Sequence, residues 1–136
     1  MQHVRRSVVA VATGVAVDTL GTILVIVFVL FAYGAWGGAE QSNDTVRFVS
    51  WLPFQVFTFA LGIFYTGFGG FVAARMVETR KILHALAVAA VSVFIALITD
   101  RAATPIWPLY AGCILSFPAA AAGGVLAERK RGQTRA

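Results

Sequence analysis

One acid in this 136-residue chain stands where acids are costly. Asp18 lies inside the apolar run from Val8 to Ala35, which exceeds the roughly 20 apolar residues that a bilayer crossing needs. A carboxylate halfway along such a segment costs on the order of 3 kcal/mol on insertion scales. It therefore requires a partner, a wet cavity or a proton of its own. At about 1.5 Å per helical residue Asp18 is roughly 15 Å deep, near the midplane of a ~30 Å hydrocarbon core. The same depth on the other apolar segments falls at Tyr65 and Thr66, at Ser92 and at Ser116. We expect a polar midplane layer in which some of these hydroxyls bond the Asp18 carboxyl. No Lys or Arg lies at that depth. A bound proton or cation is left to neutralise the acid, which suits a proton relay, a cation site or a structural carboxyl donating one hydrogen bond across helices.

The other residues capable of chemistry are poorly placed for it. Ser116 has no His or Lys at its depth to activate it as a nucleophile. His84 opens the third apolar segment, and the other histidine, His3, is near the start with no cysteine at that level, so no metal-ligand set forms. Cys113 is the single cysteine, which excludes an intrachain disulfide, and within an apolar segment it reads as a small packing residue. Gly67, Gly69 and Gly70 have no strand before them and no Lys-Ser or Lys-Thr after, so they form no phosphate loop. These absences, with no second carboxylate near Asp18, argue against an enzyme, a metal centre or a cofactor.

The elements that would carry the layer are membrane helices. Hydrophobic residues make up 59% of the chain and charged ones 12%, with a mean hydropathy of +0.81, far from soluble composition. The expected fold is all-α: one transmembrane domain over residues 1–136, a polytopic bundle of four helices spanning Val8–Ala35, Trp51–Ala74, Ile82–Ile98 and Ile106–Ala127. The basic start resembles a leader, but the segment after it is too long and holds Asp18, so we expect a retained helix. Arg5, Arg6, Arg75, Arg80, Lys81, Arg129, Lys130, Arg131 and Arg135 fall on one side of the spans, against Arg47 and Arg101 on the other. Nine against two predicts cytoplasmic termini, and it makes the net charge of +5 a topology signal, with no nucleic-acid partner. Trp36, Trp51 and Trp107, with Tyr33 and Tyr110, mark the opposite ends of the spans as an interfacial belt. Pro53, Pro105 and Pro108 suit first turns, whereas Pro118 lies mid-span, where it should bend the fourth helix and free the carbonyl of Ile114.

Small residues recur along the first, second and fourth spans. Gly14, Asp18 and Gly21 share a face of the first; Thr58, Gly62, Thr66, Gly70 and Ala74 line the second, with Phe57, Leu61, Phe64, Phe68 and Phe71 opposite. The fourth carries Gly112, Ser116, Ala120 and Gly124. Small faces let helix backbones approach, so Gly14, Gly21, Gly62, Gly70, Gly112, Ala120 and Gly124 are expected at helix contacts, with the aromatics toward lipid. Gly69-Gly70-Phe71-Val72-Ala73-Ala74-Arg75 aligns with Gly123-Gly124-Val125-Leu126-Ala127-Glu128-Arg129, and Arg5-Arg6 with Arg80-Lys81. The chain thus reads as two duplicated hairpins related by an axis along the membrane normal.

Two resemblances attach to these motifs. Gly-Gly-x-x-Ala-x-Arg before a short basic turn and His84-Ala85, together with Gly14, Asp18, Gly21 and Thr22, resembles small bacterial four-helix membrane proteins that carry no assigned activity, which implies a bacterial inner membrane. Asp18-Thr19-Leu20-Gly21-Thr22 is similar to the first helix of small multidrug resistance transporters, which have an embedded acid followed after two residues by Gly-Thr. That family uses glutamate, tolerates a weak charge bias, and has aromatic and glycine features that Ile82–Ile98 lacks. The expected function is a structural or accessory subunit in the lipid bilayer, forming a homo-oligomer or serving a larger membrane-protein partner. The alternative is a small proton- or cation-coupled transporter using Asp18.

Overall fold

The computed structural model describes residues 2–35, 47–99 and 107–133. Trp36, Arg101, Pro105, Ile106 and Arg135 lie outside them, as do the side chains of His3, Pro108, Lys130 and Arg131. The described chain is helical: α1 (Gln2–Ala35), α2 (Leu52–Met76), α3 (Lys81–Thr99) and α4 (Trp107–Gln133), with a helical turn at 47–50 before α2. All four long helices are long and apolar enough to cross a membrane. Among the described residues there is no strand.

Two helices overrun the apolar runs that predicted them. α1 begins at Gln2, before Val8, and α4 continues past Ala127 to Gln133. Hydropathy marks where a helix leaves the hydrocarbon, but backbone hydrogen bonding does not stop there. The basic flanks Arg5-Arg6 and Glu128-Arg129-Lys130-Arg131 are good helix formers. Pro53 sits in the first turn of α2, where its missing N–H is harmless. Pro118 lies inside α4, which runs helical through it, so the carbonyl of Ile114 lacks its usual N–H partner.

α2 packs most extensively against α4 and then against α1; α3 packs against α4 and α2, and more lightly against α1. α2 and α3 therefore form the short diagonal of a rhombic bundle, with α1 and α4 outside. A two-fold axis relating the hairpins would bring α1 and α4 together as closely as α2 and α3. Among the described residues no such α1–α4 packing exists. The duplicated glycine pairs also face different ways: Gly69 meets α1 and Gly70 meets α4, whereas Gly123 meets α2 and Gly124 meets α3. The repeat is a feature of sequence that the packing does not follow.

The small faces work as backbone contacts. A Cβ on residue 14 would stand 2.7 Å from the carbonyl oxygen of Gly69 and 2.7 Å from Cγ2 of Val88. One on residue 70 would lie 3.0 Å from the Ala120 carbonyl oxygen, and one on residue 124 would lie 3.1 Å from the Ala85 Cβ. Gly123 is pressed on the carbonyl of Gly67, and Gly21 makes room for the ring of Tyr65. A Cβ on residue 112 would be in ordinary contact, 3.8 Å from the ring of Phe59. Gly62 departs from expectation: a Cβ there meets nothing within 4 Å, because the helices have separated at that level. On the outer surface Phe57, Phe64 and Phe68 of α2 are exposed, as are Leu24, Phe28 and Phe31 of α1. Faces this apolar suit lipid, and this is the build of a membrane protein.

The α2–α3 turn is tight, with Val77 buried and Arg80 in the left-handed region at φ 52°. The carbonyl of Arg80 accepts the backbone N–H of His84 at 3.2 Å and Nδ1–H of the same ring at 3.0 Å. Left-handed backbone costs a non-glycine residue roughly 1–2 kcal/mol, so Arg80→Gly should raise unfolding free energy by about 1 kcal/mol in reversible micellar unfolding. Gly14→Val should lower it by about 1–3 kcal/mol through overpacking, whereas Gly62→Ala, with open space around it, should change it little. Equal losses at positions 14 and 62 would contradict this packing.

Candidate functional site

Hydroxyls in a membrane helix normally satisfy themselves on the carbonyl one turn back. Thr13 does so on Val9, Thr22 on Asp18, Thr99 on Ile95 and Ser116 on Gly112. Two hydroxyls reach further. Ser92 of α3 donates a hydrogen bond to Asp18 Oδ2, and Thr66 of α2 lies 3.1 Å from Oδ1. Asp18 and Thr66 are buried, with 6% and 5% of their surfaces exposed. Three helices thus converge on one carboxyl at the level where their small faces meet: Gly14 and Gly69 touch one turn away, and Gly69 itself faces the Cβ of Asp18.

Thr66 carries a single proton but has two acceptors, Asp18 Oδ1 at 3.1 Å and the Gly62 carbonyl at 3.0 Å. When that proton rests on Gly62, the hydroxyl oxygen turns its lone pairs to Oδ1. The contact is then favourable only with a proton or cation between them. The arrangement can therefore hold either a carboxylate receiving two hydroxyl protons or a neutral carboxyl donating one.

Beside the carboxyl the helices part around a cavity of about 520 Å³. It runs from Asp18, Thr66, Ser92 and Ser116 toward Gln55, Thr99 and Leu109, the end where α1 finishes and α2 and α4 begin. All four helices line it. Polar groups continue along the way: Thr19 and Thr22 from α1, Gln55 and Thr58 from α2, Thr99 from α3 and Cys113 from α4. Apolar walls come from Ile23, Phe59, Ile63 and Val93. In the other direction Ala10, Ala73, Ala85, Val88 and Ala89 have no exposed surface, so the bundle is closed between Asp18 and the basic end. Tyr33 stacks on Phe48 at 4.0 Å and Phe59 lies 5.7 Å from Trp107, fixing the wider end with aromatic contacts.

Of the expected layer, Thr66 and Ser92 bond the acid. Ser116 lines the same cavity but gives its proton to Gly112 at 2.7 Å. Tyr65 does not join: its ring packs on Gly21 and edge-on to Phe64, one residue round from the cavity face that Thr66 occupies. Depth along the helix selected both Tyr65 and Thr66, and only the helical phase separates them. Cys113, expected in packing, is half-buried and lines the cavity. Thr22, Thr58 and Gln55 were not counted in the polar site, although Thr58 was placed on the Thr66 face, two turns away, and Thr22 is one turn from Asp18. Among the described residues no group of three His, Cys, Asp or Glu gathers to hold a metal ion.

Comparison with protein-family models, with curated proteins and with solved structures finds no match to this chain.

The hydrogen bond from Ser92 should be worth about 0.6–1.7 kcal/mol, the range for such bonds between membrane helices. Ser92→Ala should lower unfolding free energy by that amount in lipid micelles, and Thr99→Ala, which loses only a bond within its own helix, should cost less. A smaller loss at position 92 than at 99 would rule out the interhelical bond.

Proposed function

We propose that this chain is an integral protein of the bacterial inner membrane, with cytoplasmic termini, whose bundle holds a proton- or cation-linked site at Asp18. The observation that carries this reading is the cavity of about 520 Å³ ending on a buried carboxyl. A carboxyl needed only as a tie between helices has no use for a polar approach, and ionisable groups inside membrane spans commonly mark ion or proton pathways. Arg5, Arg6, Arg75, Arg80, Lys81 and Arg129 at one end of the bundle support the orientation, because positive charge is retained on the cytoplasmic side. The cavity then faces outward. The likeness of Asp18 to Thr22 to the first helix of small multidrug resistance transporters points to the same class of chemistry.

A second reading is an accessory or self-associating subunit. The bonds from Thr66 and Ser92 to Asp18 favour it, since they tie α1, α2 and α3 together whatever else the acid does.

Proteoliposomes under an imposed pH gradient in mixed sodium and potassium chloride separate the two. The wild-type protein should dissipate the gradient faster than protein-free vesicles, and Asp18→Asn, which keeps the shape and loses the titratable group, should abolish the difference. If both proteins behave as empty vesicles while Asp18→Asn alone is less stable, the accessory reading stands. Cys113, the single cysteine, provides a check on sidedness. A membrane-impermeant maleimide should label it from the periplasmic side, and labelling only from the cytoplasmic side would reverse the assigned orientation of the cavity.

A further inference from the structure

We infer that the site is an exchange site for one monovalent alkali cation against one proton, an inference that rests on the proton- or cation-linked reading of Asp18. The atoms that meet at the site are all oxygen, Asp18 Oδ1 and Oδ2, Thr66 Oγ1 and Ser92 Oγ, and of these Asp18 Oδ1 and Thr66 Oγ1 are the pair open to a cation. Oxygen ligands of this kind suit hard cations, not soft or transition metals. Charge then fixes the valence. Among the residues lining the cavity the titratable groups are Asp18 from α1 and the Cys113 thiol from α4, while α2 and α3 present only hydroxyls, the Gln55 amide and apolar groups. One carboxylate neutralises one positive charge. A divalent ion would leave a net charge stranded at the midplane, where isolated charge is strongly penalised.

The hydroxyl of Thr66 is the hinge of the exchange. With its proton on the Gly62 carbonyl, 3.0 Å away, its oxygen and Asp18 Oδ1 face one another at 3.1 Å as two lone-pair donors. A proton on the carboxyl satisfies that pair, and so does a cation seated between them with water from the cavity completing its shell. In the exchange the carboxyl O–H bond breaks, the proton leaves through the cavity, and cation–oxygen contacts replace it, with the charge of the site unchanged. Residue 62 has open space where a side chain would stand, which leaves the approach to this oxygen pair clear. Ser92 donates to Oδ2 in both forms and holds the carboxyl in place.

The test is infrared difference spectroscopy of the lipid-reconstituted protein, with the protonated-carboxyl stretch assigned through Asp18→Asn. At fixed pH and ionic strength, replacing choline chloride with sodium or lithium chloride should remove the Asp18 band in the wild type, and magnesium chloride should not. Thr66→Val, which removes the hydroxyl oxygen but leaves the acid, should retain the band in sodium; Thr66→Ser should restore the wild-type response. A band that titrates with pH but is the same in sodium, lithium and choline overturns the cation exchange and leaves a pure proton site. Magnesium emptying the site where sodium does not overturns the assigned valence. No Asp18 band at any pH in choline chloride overturns this inference and the proton-linked reading together.

Discussion

The carbonyl oxygen of Gly69 lies where a side chain on residue 14 would have to stand, and this contact sets the distance between α1 and α2. Lipid provides no hydrophobic force between helices, because the hydrocarbon is as apolar as the side chains it would replace. Close approach must come from the absence of side chains. Glycines at 14 and 69 allow it, and Asp18, one turn beyond Gly14, is carried within hydrogen-bonding distance of Thr66 as a result. A wider α1–α2 spacing would leave the carboxyl without its threonine, and an unpaired polar group at that depth is costly. The packing of two glycines and the chemistry of one acid are therefore a single constraint.

The same constraint explains why the bundle is tight at one end and open at the other. Toward the basic end three interfaces rest on small residues, Gly14 on Gly69, Gly70 on Ala120 with Gly123 on Gly67, and Gly124 on Ala85, while Val88 fills the space between α1 and α3. Beyond Asp18 the interfaces acquire bulk. Tyr65 wedges against Gly21, and Phe59 stands between Gly112 and Trp107. Helices in contact at one end and held apart by rings at the other enclose a space that widens away from the contact. The polar residues Thr22, Thr58, Gln55 and Thr99 line that space, whereas the closed half presents Ala73, Ala85, Val88 and Ala89.

Much of this was legible in the sequence, for reasons that also mark where reading fails. Hydropathy is a sum over many residues, so the four spans survived local irregularity. Rise per residue is nearly constant, so counting depth brought Thr66 and Ser92 to Asp18 across 48 and 74 residues of chain. Depth alone could not distinguish Tyr65 from Thr66, because adjacent residues share a level and differ by about 100° in direction, the consequence of 3.6 residues per turn. Gly62 belonged to a stripe of small residues and was expected in a contact; it borders the cavity instead, since smallness permits approach without enforcing it. The cavity itself left no local trace. It arises from how four helices diverge, a property of no single segment.

Under the proposed exchange, what would turn an interhelical tie into a working site is a mismatch in proton number. Thr13, Thr22 and Ser116 each have one proton and one carbonyl one turn back to receive it, and their accounts close within their own helices. Thr66 has the same carbonyl and a carboxyl oxygen as well. A structural tie would be better made by a residue without that competing acceptor, since the network would then have one arrangement. The contacts of Thr66 with the Gly62 carbonyl and with Asp18 Oδ1 are compatible with two arrangements, which differ by one positive charge between Thr66 and Asp18. Under the proposed exchange, a fold that held both without moving its helices would load and release that charge at little conformational cost, by way of the cavity beside Asp18.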